Sequence, residues 1–335
     1  MPALLPGRPA VRAIEPYNDE VWRVEAEGGH KVVVKQQLFG FLTRGKAFDL
    51  LRVECDVLGL LRGAGCPVPA VLGIDEEAQC IFLEWVGDRT LDAAIQAGEQ
   101  AAARAAVAGL CAIERTLAAH AEKWVSRVAP GVGCDDLAVS WDGVLARAGV
   151  GLNRMMQRLG RSFDAAASEA LLQQMHGWLA ARPPALGSSD YNPHNAVVDP
   201  SGAGVHFLEF AKIGWDWTER RLVQYTTSVG SGRADGRMRT LADAESARHY
   251  AETFARADGA RALDYHKLFF LLQGAAMLCA ALDGGPQAGA LLSRWQHPQY
   301  RLRQFAAMLA DDLSDDPLAA EFRRRASLTT EGDAL

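Results

Sequence analysis

Two stretches near the start of the chain alternate apolar and polar residues, 20–26 and 31–37, and Glu27-Gly28-Gly29-His30 stands between them. Alternation at a period of two around a glycine pair predicts a β-hairpin. A helical period follows over about 46–62, where Leu50, Val57, Leu58 and Leu61 form one apolar stripe closed by Gly63 and Gly65. Pro67-Val68-Pro69 leads to a strand over 70–74, and 79–86 predicts another. Gly87-Asp88 marks a change of character. From Thr90, which reads as an N-cap, the chain turns helical and alanine-rich. Helices are predicted at about 101–121, 164–182 (stopped by Pro183-Pro184), 217–229, 242–257, 262–282 and 300–312, with a single hairpin at 195–209 among them. The outline is α+β: a small β-rich N-terminal lobe over 1–87 and a larger helical lobe over 88–335 that contains the hairpin.

Composition narrows the class of protein. With 335 residues the chain is long for one domain and sufficient for two lobes, and 49% apolar content suits a well-packed globule. The net charge of -6 and the lack of a basic block argue against a nucleic-acid partner. Six cysteines without a CxxC pair, most of them among apolar neighbours, favour reduced thiols and a cytoplasmic protein. Met1 to Gly7 lacks the apolar core of a signal peptide. The longest apolar run, 268–282, is broken by Gln273 and too short to span a bilayer, so it is expected to be a buried helix and no membrane partner is expected. The tail after Ser327 is expected to be disordered, and oligomeric state is left open.

Chemistry concentrates in Ser188-Ser189-Asp190-Tyr191-Asn192-Pro193-His194-Asn195. An aspartate leads a polar turn, and Asn195 opens the apolar run of the hairpin that ends in Glu209-Phe210. Since the turn centre lies near Ser201 and Gly202, Asn195 and Glu209 are expected side by side at the open end, with Asp190 in the loop leading in. Three oxygen-bearing side chains there suit a hard cation and a hydroxyl nucleophile. Ser, Asp, Asn and Pro are also the residues any turn uses. A second constellation adds weight. Glu54 falls within the apolar stripe of its helix, where a carboxylate needs a cation, and Lys35 at the end of Lys31-Val32-Val33-Val34-Lys35 is the obvious partner.

In order and spacing, Lys35, Glu54, Phe82-Leu83-Glu84-Trp85-Val86-Gly87, Asp190-x-x-x-x-Asn195 and Glu209-Phe210 resemble the protein-kinase-like fold, and more closely the aminoglycoside phosphotransferase and choline kinase family. Gly65-Cys66-Pro67-Val68-Pro69 is similar to that family's approach to its fourth strand. The likeness runs from about residue 12 to 225. It implies that Lys35 holds the α- and β-phosphates of ATP, oriented by Glu54. It also implies that Asp190 accepts or orients the proton of an attacking alcohol, that Asn195 and Glu209 ligate Mg2+, that backbone groups of Glu84 to Val86 meet the adenine, and that Asn18-Asp19-Glu20 turns over the phosphates. The expected partners are a nucleotide and a small-molecule alcohol.

Three positions depart from the family pattern. Ser188 stands where a histidine usually braces the catalytic loop, Glu209 replaces an aspartate, and Arg221 stands where a structural aspartate is common. Loss of these positions is what an inactive kinase-like protein would show; retention of Lys35, Glu54, Asp190 and Asn195 is what an enzyme would show. A protein kinase is disfavoured, since no Ala-Pro-Glu-like segment follows Phe210. For the acceptor, Tyr191, Asn192, Trp215, Asp216, Trp217 and Tyr225 are the expected contacts, through aromatic faces and one carboxylate. The two tryptophans also suit a packed core. Asp311-Asp312 with Asp315-Asp316 reads either as an attractor of amines or as a solvated helix end.

Overall fold

The structure is a computed structural model that describes residues 10–202, 204–229, 235–286 and 288–328. The N-terminal heptapeptide and the end of the tail, on which the signal-peptide and disorder expectations bore, lie outside the described residues. The chain divides into two compact units, Met1–Leu91 with Gly109–Gly133 and Ala185–Asp216, and Asp92–Ala108 with Cys134–Pro184 and Trp217–Leu335. Segments 109–133 and 185–216 thus group with the N-terminal sheet, whereas the compositional break in the sequence falls at Gly87.

The first unit begins with β1 (Val11–Pro16), β2 (Val21–Ala26) and β3 (Lys31–Gln36), then α1 (Gly40–Thr43), α2 (Leu50–Gly63), β4 (Val71–Asp75) and β5 (Cys80–Glu84). The strands form an antiparallel sheet in the order β1-β2-β3-β5-β4. Gly28 and Gly29, between β2 and β3, take φ of 83° and 79°, a conformation that side chains strain. Helix α2 starts at Leu50, later than the apolar period suggested, because the Asp49 side chain accepts from the Arg52 amide at 3.2 Å and caps it. Leu51, Val57, Leu58 and Leu61 on its inner face are 1% exposed or less. Burial of each contributes about 1.5–3 kcal/mol.

Beyond Gly87 come β6 (Arg89–Thr90), α3 (Leu91–Ala97), α4 (Gln100–Ala119) and α5 (Ala121–Val125). Helices α6 (Cys134–Leu159) and α7 (Ala165–Ala180) lead to β7 (Ala185–Ser188). The expected hairpin is β8 (Ala196–Val198) and β9 (Val205–Phe207), with Ala196 opposite Phe207. β6 adds to it as a third strand through Arg89–Val198. β7 pairs with β10 (Ile213–Asp216), Ser188 opposite Ile213, so a second two-stranded ribbon flanks the loop 189–195.

After α8 (Thr218–Tyr225), shorter than predicted, the second unit holds β11 (Thr227–Ser228), β12 (Arg239–Thr240), α9 (Ala244–Thr253), α10 (Gly259–Leu282), α11 (Ala288–Arg294), α12 (Pro298–Ala310) and α13 (Pro317–Arg325). Its core joins Trp141, Leu152 and Met155 of α6 to Leu268, Phe269 and Leu272 of α10, Phe305 of α12 and Phe322 of α13. Gly151 permits the α6–α10 approach: a Cβ there would lie 2.0 Å from the Leu272 carbonyl oxygen. Among the described residues α10 alone is long and apolar enough to cross a bilayer, yet 67% of its most apolar window is buried, as the sequence reading of a buried helix requires.

Candidate active site

The first unit brings Lys35, Glu54, Asp190, Asn195 and Glu209 to one cleft. Lys35 sits on β3, opposite Val21 and Ile81 in the neighbouring strands, and is 8% exposed. Its Nζ donates to Glu54 Oε1 and Oε2 at 2.7 and 3.0 Å, and to Glu209 Oε2 at 2.7 Å. Glu54 is fully buried and also accepts from the Gln37 side-chain amide and, at 3.5 Å, from the Phe210 backbone amide. Burial opposes the charge on Lys35, but the two carboxylates override it and raise the pKa. Burial pushes the Glu54 carboxyl up to about 7; Lys35 pulls it down, and Glu209 adds to the rise. A lysine held between a buried and a partly exposed carboxylate is a fixed positive charge at the mouth of a hollow.

The loop after β7 is braced by its own polar atoms. Ser188 Oγ accepts from the Asp190 amide at 3.1 Å, and Ser189 is tied to the Lys212 carbonyl by both its amide and its hydroxyl at 2.9 Å. Asn192 Oδ1 accepts from the His194 amide at 3.0 Å, and Asn195 Nδ2 donates to the Asp190 carbonyl at 3.0 Å. The Ser188 hydroxyl therefore carries part of the bracing for which a histidine was expected. The Asp190 carboxyl is raised by burial and by the nearby charge of Glu209. Leu208 donates its amide to the Asn195 carbonyl at 2.9 Å, which places Glu209 next to Asn195 at the open end of the hairpin.

The cleft has a volume of about 530 Å³, within the usual range for a small-molecule site. Val21, Val33, Leu83 and Val86 supply apolar wall, Val197 and Leu208 more, and Asp190, Asn195, Glu209 and Lys35 line it as well. Asn18 lines it from the β1–β2 turn, where its Oδ1 accepts from the Glu20 amide at 2.8 Å. The Glu84 side chain is engaged elsewhere, accepting from the Ala70 amide at 3.1 Å and pairing with Arg62 at 3.1 Å, and its backbone amide donates to the Ala70 carbonyl at 2.9 Å. Gly87 has φ of 133°, and a Cβ there would meet the Val198 carbonyl at 3.0 Å.

Sequence reasoning missed Asp88. It accepts from the Tyr17 hydroxyl, from Arg23 at 2.8 Å and from Trp85 Nε1 at 3.0 Å, and so ties the β1–β2 turn to the segment after β5. Burial works to raise its pKa, but those three donors outweigh it and lower it. Its one sequence signal is position, directly after Gly87. Gln37, which holds Glu54 from behind, carried no signal.

The expected acceptor contacts are dispersed. Tyr191 donates its hydroxyl to Asp216, which is 5% exposed, and Trp215 lies half-buried on β10 with its amide on the Val132 carbonyl at 2.9 Å. In the second unit Trp217 is 3% exposed, stacks at a tilt on Trp141 with centroids 4.9 Å apart, and donates Nε1 to the Arg182 carbonyl at 3.0 Å. Tyr225 is 2% exposed. Those two rings are part of the packing, the plain reading of an aromatic residue there. Arg221 is likewise fully buried. Of the acidic run, Asp311, Asp312 and Asp315 are exposed, as a solvated helix end would be, and Asp316 alone is buried: it caps α13, accepts from Tyr265 at 2.6 Å and pairs with Arg261 at 2.8 Å.

A β-sheet carrying the lysine, a helix carrying its glutamate and a loop-plus-hairpin carrying aspartate, asparagine and a further carboxylate are the parts of a protein-kinase-like phosphotransferase fold. Solved structures agree at the level of fold. The GDP complex of wild-type aminoglycoside 2'-phosphotransferase-IIIa superposes with a TM-score of 0.54 over 88% of this chain and 93% of that one, at 12% identity. An aminoglycoside phosphotransferase from Alicyclobacillus acidocaldarius gives 0.54 over 95% and 93%, at 13% identity. This chain has the aminoglycoside phosphotransferase fold. No family model matches the sequence, and no curated protein matches it.

Proposed function

We propose that the chain is an ATP- and Mg2+-dependent small-molecule kinase that transfers the γ-phosphate to an alcohol hydroxyl of an amino-sugar, amino alcohol or similar metabolite. The observation that carries this reading is the buried Lys35–Glu54 pair, whose lysine lines one cleft together with Asp190, Asn195 and Glu209 and touches Glu209 directly. Residues 1–87 would form the nucleotide-binding lobe, and 88–335 the helical lobe with the catalytic loop and the acceptor site. Bound nucleotide with Mg2+ supplies the transferable phosphoryl group and neutralises its charge. The donor set suits that metal. Among the described residues no three His, Cys, Asp or Glu side chains form a metal centre alone, and Mg2+ characteristically takes one or two protein oxygens and completes its shell with phosphate and water. Asn195 presents Oδ1, since its Nδ2 is held on the Asp190 carbonyl, and Glu209 presents a carboxylate.

Lys35 holds phosphate oxygens, and Glu54 fixes its direction. Asp190 accepts the proton of the acceptor hydroxyl, and Tyr191, Asn192, Trp215 and Asp216 flank the approach. Val21, Val33, Leu83 and Leu208 enclose the base, with backbone groups from Glu84 to Val86 at its edge and Asn18 over the phosphates. Reduced thiols fit a cytoplasmic setting, since all six cysteines are free. One observation favours a second reading, a weak or inactive kinase-like protein that binds nucleotide. Glu209 already occupies Lys35 at 2.7 Å, so the metal and phosphate ligands satisfy each other.

Calorimetric titration of ATP and of GTP, with and without Mg2+, separates the readings. On the kinase reading binding requires Mg2+, the nucleotide turns over with an alcohol acceptor, and Asp190→Ala abolishes transfer while nucleotide affinity is largely kept. A fully active Asp190→Ala variant sinks it. Binding without a Mg2+ effect and without turnover supports the second reading.

A further inference from the structure

The second unit contains a larger hollow, of about 670 Å³, walled by α6, α8, α10 and Trp295. Its lining combines two features. One wall is apolar: Val150 of α6 and Met277 of α10, 47% and 49% exposed, face it together with Phe270 and Trp295. Among the described residues the charged groups of the lining are three guanidiniums, Arg147, Arg154 and Arg220, and no carboxylate is among them. Arg147 and Arg154 stand seven residues apart on α6, two helical turns, with Val150 between them on the same face.

The guanidiniums are held rather than loose. Arg147 reaches Gln273 Oε1 through two nitrogens at 3.4 Å, Arg154 pairs with Asp283 at 2.8 Å, and Arg220 lies over the Trp141 ring at 5.6 Å. The Arg147 contacts are at the weak end of hydrogen bonding, and both partners are neutral or shared: Asp283 also serves Arg158. A carboxylate or phosphate entering the hollow would meet three forked donors whose geometry matches planar or tetrahedral oxygens. Met277 and Val150, otherwise exposed apolar residues in a helical surface, would be covered by the rest of the ligand.

We propose that this hollow binds an organic anion with an apolar body, a carboxylate or phosphate carried on an aliphatic or aromatic frame. A cationic amino-sugar is the wrong charge for it. Every residue involved lies in the second unit, so the site stands or falls independently of the kinase reading.

The test uses the full chain and four ligands of one tail length: decanoate, decyl phosphate, decanol and decyltrimethylammonium, titrated by calorimetry well below micelle formation. One or both anions should bind saturably at one site, more tightly than decanol, and the ammonium should not bind; carboxylate and phosphate arms show which head group the three donors prefer. Arg147→Gln, an exposed position that leaves the core untouched, should weaken the anion by about tenfold, the value of one hydrogen bond to a charged group. Met277→Glu should abolish anion binding and admit the ammonium. Equal affinity for all four ligands, absence of saturable anion binding, or indifference to both substitutions in folded protein would overturn the assignment.

Discussion

Replacing Lys35 by methionine leaves Glu54 fully buried with Gln37 and one backbone amide as partners. The apolar stem is kept, so the perturbation is the loss of the ammonium. The stranded carboxylate escapes by taking up a proton. From an ordinary value of 4.5, neutralising it near pH 7.5 costs about 4 kcal/mol at 1.36 kcal/mol per pH unit. That agrees with the roughly 3–5 kcal/mol seen when one partner of a buried pair is removed. Near pH 5.5 the same step costs only about 1.4 kcal/mol. The sign follows from linkage. A carboxyl raised in the folded state binds more protons folded than unfolded, so the variant's stability falls as pH rises between the two pKa values. Glu209, with its side chain 21% exposed, keeps water as a partner and adds little. Urea unfolding at the two pH values measures the difference. Lys35→Met should lose about 4 kcal/mol at the higher pH and about 1.4 at the lower, and Glu54→Gln added to it should restore most of the loss at the higher. An equal penalty at both pH values, or no rescue, would refute the reasoning.

Other outcomes follow from the same geometry. Glu209→Asp shortens the side chain by roughly 1.5 Å, withdraws it from Lys35, and should preserve or raise Mg2+-dependent turnover; an outright loss would show that the longer arm serves another geometry. On the kinase reading Asp190 would accept a proton only when ionised, and burial with the Glu209 charge raises its pKa. The acid limb of kcat/KM should therefore lie above the ordinary aspartate range, and a limb within that range would contradict its assignment. Gly87→Ala places a side chain at φ of 133° and 3.0 Å from the Val198 carbonyl. It should destabilise by roughly 1–3 kcal/mol, and an unchanged urea midpoint would count against a required glycine.

The parts of the site with a local pattern were legible. Glu54 within an apolar stripe demanded a cation, and Lys35 is found at 2.7 Å; the hairpin register placed Asn195 beside Glu209 because the turn residues marked its centre. What escaped depended on distant partners. Asp88 looks like any polar turn residue until Tyr17, Arg23 and Trp85 converge on it. β7 and β10 lie twenty-five residues apart between Ser188 and Ile213, with no tight turn to announce their pairing. The longest helix, α6, has buried residues at helical spacing, from Leu137, Trp141 and Val144 to Ala148 and Leu152. Its three glycines, Gly143, Gly149 and Gly151, hid that period, although Gly151 is there for packing. Trp217 and Tyr225 show the opposite error, where aromatic chemistry near a catalytic segment suggested contact and the rings belong to the interior.

The three-part composition of the first unit has a consequence for its assembly on the ribosome. Glu209 lies 174 residues after Lys35, so at ordinary elongation rates of about 5–20 residues per second it emerges roughly 9–35 s later. For most of that interval the nascent sheet has its lysine and Glu54 but neither the aspartate loop nor the hairpin that completes the cleft. A fragment ending at Gly87 reproduces that incomplete intermediate permanently, and excising the β-rich lobe for separate expression removes half of what its own lysine is built to face.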